Sequence, residues 1–146
     1  MKDLTGVPTP MFWLGVSGLG PMLGLPILFM VTGYCSSLAT VQMTFGATIC
    51  SFLGGVRWGY MVTDGKPLAP TWENVLWSVA PQAAAWLALL LPQSLGLLLI
   101  SAGIGMSTFI DLITANYPPW FKSLRLFLAI PAIIGLLLTF IMKPFA

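Results

Sequence analysis

Long apolar runs, not alternating polar and apolar positions, set the pattern of this chain. They cover roughly residues 9–33, 39–62, 74–91, 93–113 and 124–142. Each approaches or exceeds the ~20 apolar residues that cross a bilayer. Within hydrocarbon every backbone polar group needs a partner, so only helices or closed barrels can span. Barrel strands would alternate. The pattern therefore predicts an all-α integral membrane protein, a compact bundle of five transmembrane helices in one domain covering residues 1–146. Pro92 separates the third and fourth runs and predicts a tight hairpin. The polar connections are "TDGKPLAPTWE" and "TANYPPWFKS". No internal repeat or long linker interrupts this order.

Small residues recur inside these runs. Ala47, Ser51, Gly55 and Gly59 follow one another at intervals of four, as do Ala80, Ala84 and Ala88; Gly20 and Gly24 mark the first run. Lipid tails are as apolar as leucine, so helices associate in a bilayer by close packing at small residues. These stripes are the expected packing surfaces. Pro21, Pro26, Pro81 and Pro131 are expected to bend their helices.

Charge is scarce, with six basic and four acidic side chains making 7% of 146 residues. A soluble domain carries about 25%. The placement matters more than the net charge of +2, which is too small to suggest nucleic acid. Lys2, Lys66, Lys122 and Arg125, with Arg57 close by, fall on the amino-terminal side of five spans, and only Lys143 falls opposite. The positive-inside rule then puts the amino terminus in the matrix or cytosol and the carboxyl terminus outside. Trp13, Trp58, Trp72, Trp77, Trp120, Tyr60 and Tyr117 collect at the same side, as an anchoring belt would. Lys122 and Arg125 follow "YPPW" and could hold an acidic phospholipid headgroup. The first ten residues, MKDLTGVPTP, have no Arg-rich amphipathic stretch, so the first run is read as part of the mature protein.

The chain has no histidine. That removes Ser-His and Cys-His catalysis, His-ligated haem and most zinc sites. Cys35 and Cys50 lie 15 residues apart and read as small apolar residues. Ser36 and Ser37 have no base nearby in sequence. Neither enzyme activity nor a cofactor or metal is expected. The polar residue that asks for an explanation is Arg57, in "SFLGGVRWGY". It lies about five residues from its helix end, some 7–8 Å down at ~1.5 Å per residue. It can snorkel to the surface or to Asp64. It can also meet Asp111 at similar depth on the fourth helix, with Arg125 of the fifth as a third member. The second arrangement predicts a structural charge network.

"SFLGGVRWG" resembles the signature of the DUF3429 family, which includes transmembrane protein 69. "WSVAPQAAAWLALLLP", Asp111 and "PPWFKSLRLFLAI" extend the resemblance over nearly the whole chain. Many members of that family carry histidine where this chain has Arg57, so a positive charge or donor, not a titrating imidazole, is the requirement the resemblance implies. It also implies a bacterial or mitochondrial membrane protein, and its mitochondrial members point to the inner membrane, with a bacterial plasma membrane as the alternative. The expected function is a non-catalytic accessory subunit of an inner-membrane assembly such as a respiratory-chain complex, its partners being membrane lipids and other integral subunits. The alternatives are a small oligomeric transporter or channel, or a lipid-binding assembly factor.

Overall fold

A computed structural model describes residues 4–65, 67–114 and 116–144. It contains five helices: α1 (Thr9–Thr32), α2 (Ser36–Val62), α3 (Trp72–Leu90), α4 (Gln93–Ile113) and α5 (Pro119–Met142). Four of them, α1, α2, α4 and α5, are long and apolar enough to cross a membrane. The shorter α3 carries Glu73, Asn74, Ser78 and Gln82 and falls outside that group on composition.

The largest departure from the expected boundaries is the start of α5, five residues early. Pro118 occupies the cap and Pro119 opens the helix. Proline is suited to a first turn, because its φ is preset and its missing N–H had no partner to lose. The double proline therefore starts this helix and carries Trp120, Phe121 and Lys122 onto it. At α3, the Thr71 hydroxyl accepts from the Asn74 N–H at 3.3 Å, and Glu73 lies in the first turn, where the helix dipole favours an acid.

Consecutive helices run antiparallel. The spatial neighbours α1 and α5 run parallel, as Gly15 opposite Leu128 and Gly135 opposite Met22 show. So do α2 and α4, which meet at Cys50 and Gly103. The buried core lies between α2, α4 and α5 and is built on Met43, Cys50, Leu97, Ile100, Ile104 and Leu136. Helix α1 leans on α5 and touches α2 lightly.

Two glycines set the closest approaches. A Cβ on Gly54 would fall on the Ser78 carbonyl, and one on Gly135 would fall on the Met22 carbonyl. The second contact has a sequence cause. Pro26 has no N–H to give the Met22 carbonyl one turn back. The buried Gln42 donates to that oxygen instead, Nε2 to O at 2.8 Å. The orphaned carbonyl thus becomes a joint between α1, α2 and α5.

The expected four-residue stripes are only partly packing surfaces. Ala47 and Ala88 are buried and Ser51 and Ala84 half-buried, but Gly55 and Ala80 are exposed. Gly55 and Gly59 would accept a Cβ with no atom within 4 Å. The physical reason is rotation. At 3.6 residues per turn, each step of four turns the face by about 40°. Three steps from Ala47 reach Gly59 after about 120°, off the buried side. The contact face instead follows Gly46, Cys50, Gly54 and Arg57. On α1, Gly20 and Gly24 likewise have open space.

Candidate functional site: a buried charge clasp

Arg57, Asp111 and Arg125 come together where α2, α4 and α5 converge, at the end of the bundle from which α5 starts. They are 5%, 3% and 8% exposed. Arg125 makes the close ion pair, with Nη2 2.7 Å from Asp111 Oδ2. Arg57 Nη1 stands 4.0 Å from Asp111 Oδ1. The network exists, with its emphasis reversed from the sequence expectation. Arg125 is the main partner of Asp111, and Arg57 is held chiefly by neutral groups. Its Nη2 donates to Asn74 Oδ1 at 2.6 Å and its Nη1 to Thr114 Oγ1 at 3.0 Å.

These donors and acceptors are placed by the helix ends. Asn74 sits in the first turn of α3, and its Nδ2 donates to the Ala69 carbonyl at 2.9 Å, which orients the amide oxygen toward Arg57. Thr114 caps α4 and donates back to the Ile110 carbonyl at 2.7 Å, leaving its oxygen free to accept. Arg125 also faces the Phe121 ring, 5.3 Å from its centroid, and donates to the Leu53 carbonyl at 3.4 Å. Sequence reasoning missed Asn74 and Thr114. Both are polar residues at helix ends on the side of Arg57, and that shared position is the signal that could have found them.

Tyr117 corrects another expectation. It is not an interface residue but lies 3% exposed, roofing the cluster. Its ring packs 4.6 Å from Tyr60 and 5.0 Å from Phe121. Burial, helped by the nearby Asp111 carboxylate, pushes its hydroxyl up to about 12. The roof is tied down by Tyr60, which donates to the Asn116 carbonyl at 3.3 Å, and by Asn116 Nδ2, which donates to the Pro67 carbonyl.

Arg125, also expected to meet a lipid headgroup at the interface, is instead buried against Asp111, whereas the remaining expected interface residues face outward to different degrees. Trp58 and Trp72 are exposed. Trp120 is half-buried, edge-on to Phe121, and Lys122 is half-buried. Lys2, Lys66 and the carboxyl-terminal Ala146 lie outside the described residues. Among the described residues no group of three or more Cys, Asp or Glu is placed to hold a metal.

Two cavities reach the clasp from different sides. One, of about 220 Å³, has apolar walls from α1, α2, α4 and α5 and includes Arg125 and Thr108. The other, of about 260 Å³, is more polar and includes Arg57, Asn74, Thr114, Asn116 and Glu73. The clasp can join helices or bind an oxygen acceptor.

Residues 7–141 match the model of a family described as "Protein of unknown function (DUF3429)". Transmembrane protein 69 of Xenopus tropicalis is 40% identical over 140 residues, covering 93% of this chain and 55% of that protein. Transmembrane protein 69 of Mus musculus is 33% identical over 141 residues, covering 93% of this chain and 57% of that protein. The chain thus spans just over half the length of these curated relatives. No solved structure matches it.

Proposed function

This chain is a membrane protein of the DUF3429 family, the family of transmembrane protein 69, and from that premise we propose that it is a non-catalytic accessory subunit of a larger inner-membrane assembly. The observation that carries this reading is how its polar groups are used. Arg57, Asp111 and Arg125 are directed at one another and at Asn74 and Thr114 inside the bundle. Gly55 and Ala80 are exposed, and a Cβ at Gly55 or Gly59 would meet no atom within 4 Å. A clasp that fixes the bundle from within, and small residues turned outward, suit a protein that offers a rigid helical face to other helices.

In this reading α3 is a fifth span. The end bearing the clasp, Lys122 and the α1 start faces the matrix or cytosol, following the basic residues. The assembly is mitochondrial, with a respiratory complex as its first candidate. The test is gentle solubilisation of native membranes, with identification of what co-migrates at full assembled mass. Stoichiometric co-migration is expected. Gly55→Leu should loosen it without changing the unfolding of the isolated chain. A homogeneous free protein, unaffected by Gly55→Leu, would overturn the reading.

A second reading, a small oligomeric transporter, draws on the two cavities flanking the clasp. An anion passing between them would have to displace the Asp111 carboxylate from Arg125. Anion flux in liposomes containing the purified chain tests it, and absence of flux returns the clasp to a purely structural role.

A further inference from the structure

We propose that the apolar cavity between α1 and α2 is a lateral lipid site, in which one acyl chain lies along the cavity and its ester or carboxylate oxygen accepts hydrogen bonds from Arg125 and Thr108. The site stands apart from the assembly proposed above. Helices α1 and α2 are pinned together where Gln42 meets the Met22 carbonyl. Toward the clasp end, Leu14 and Gly18 of α1 and Ile49 and Phe52 of α2 line the cavity. Leu14 and Phe52 on its rim are 74% and 70% exposed, so entry is from the side of the bundle, where lipid lies.

The volume is about 220 Å³. An apolar protein cavity of about 150 Å³ holds a benzene molecule, so a stretch of acyl chain fits here. The walls alone would not select a ligand; the polar groups do. Arg125 and Thr108 line the cavity and are 8% and 4% exposed. Arg125 Nε and Thr108 Oγ1 are both buried without a hydrogen-bond partner. Such groups are costly unless satisfied. Both can donate, and an oxygen acceptor on an apolar body satisfies them. Arg125 is six residues into α5, about 9 Å from its start at ~1.5 Å per residue. That depth suits the oxygens at the top of an acyl chain better than a phosphate, which stays at the surface.

The test uses the full chain in liposomes carrying either a fatty acid or a phospholipid with a photoreactive diazirine on the chain. Saturable crosslinks are expected on the cavity walls of α1 and α2, competed by the untagged lipid. Labelling by the fatty acid alone assigns a carboxylate, and by the phospholipid alone an ester; either supports the site. Gly18→Phe fills the cavity from a position with open space and should reduce labelling to background, while Gly20→Phe, at an exposed position with open space, should not. Thr108→Val removes one donor with little change of shape and should weaken binding about threefold to tenfold, the worth of one hydrogen bond. It also decides the matter if Gly18→Phe does not fold. Crosslinks spread evenly over the outer faces, or unchanged in both Gly18→Phe and Thr108→Val, would overturn the proposal.

Discussion

The two ends of the bundle solve the same problem, tying helix ends together, with different chemistry. At the clasp end the ties are charged and buried: Asp111 to Arg125, and Arg57 to Asn74 and Thr114. At the other end they are mostly neutral and partly exposed. Gln93 Nε2 donates to the Ser36 carbonyl and to Thr40 Oγ1, both at 2.9 Å, and its Oε1 accepts from Tyr34. Lys143 donates to Ser94 Oγ at 2.8 Å. Breaking a buried ion pair strands a charge, whereas water can replace a lost bond at a wet helix end. The clasp end should therefore be the brittle one.

Asp111→Asn should produce the largest loss, about 3–5 kcal/mol, because two guanidinium groups then face each other without a carboxylate. Unfolding in mixed micelles measures it. The pair Asp111→Leu with Arg125→Leu should cost less than the sum of the single changes. The coupling of Asp111 to Arg125 should exceed its coupling to Arg57, as 2.7 Å against 4.0 Å requires. Equal couplings would mean that the closer contact does not govern.

Gly54→Ala should come next, at about 1–3 kcal/mol, since its Cβ meets a backbone carbonyl that cannot swing aside. Gly96→Ala, at the opposite end, tests the comparison directly. Its Cβ would approach the Ala88 carbonyl and Met43 Sδ at 2.6 Å each. The Ala88 carbonyl is as fixed as that of Ser78, but the overlap is milder than at Gly54 and Met43 can repack, so the loss should be smaller. Gly55→Ala should leave the isolated chain unchanged or slightly more stable. A reversal of Gly54 and Gly55 would restore the four-residue stripe as the packing face.

Gln93→Leu should cost only about 1 kcal/mol. A loss rivalling Asp111→Asn would erase the distinction between the ends.

The smallest effect concerns alkali. The Tyr117 hydroxyl, ordinarily near 10, is raised to about 12. Folded protein then holds this proton more tightly than unfolded protein. The contribution is fully present below pH 10 and is lost as pH rises toward 12. Tyr117→Phe should flatten that part of a pH–stability curve and change little at neutral pH, because the buried hydroxyl has no partner to lose.

The apolar runs determined the helices by themselves. Burial of backbone in lipid leaves few other choices, and the starts of α1 and α4 and the ends of α2, α4 and α5 fall where hydropathy places them. The sequence also put Arg57, Asp111 and Arg125 at one level, since depth along a helix follows from counting residues. Rotation and partner choice were decided only by tertiary structure. A single step of about 100° separates Gly54, seated on a carbonyl, from Gly55, which is open. Which arginine takes the carboxylate depends on how α4 and α5 cross, and on Asn74 and Thr114 being near enough to hold the other. Spacing along one helix specifies a face only up to the neighbour that covers it, and that neighbour is fixed by the packing of all five.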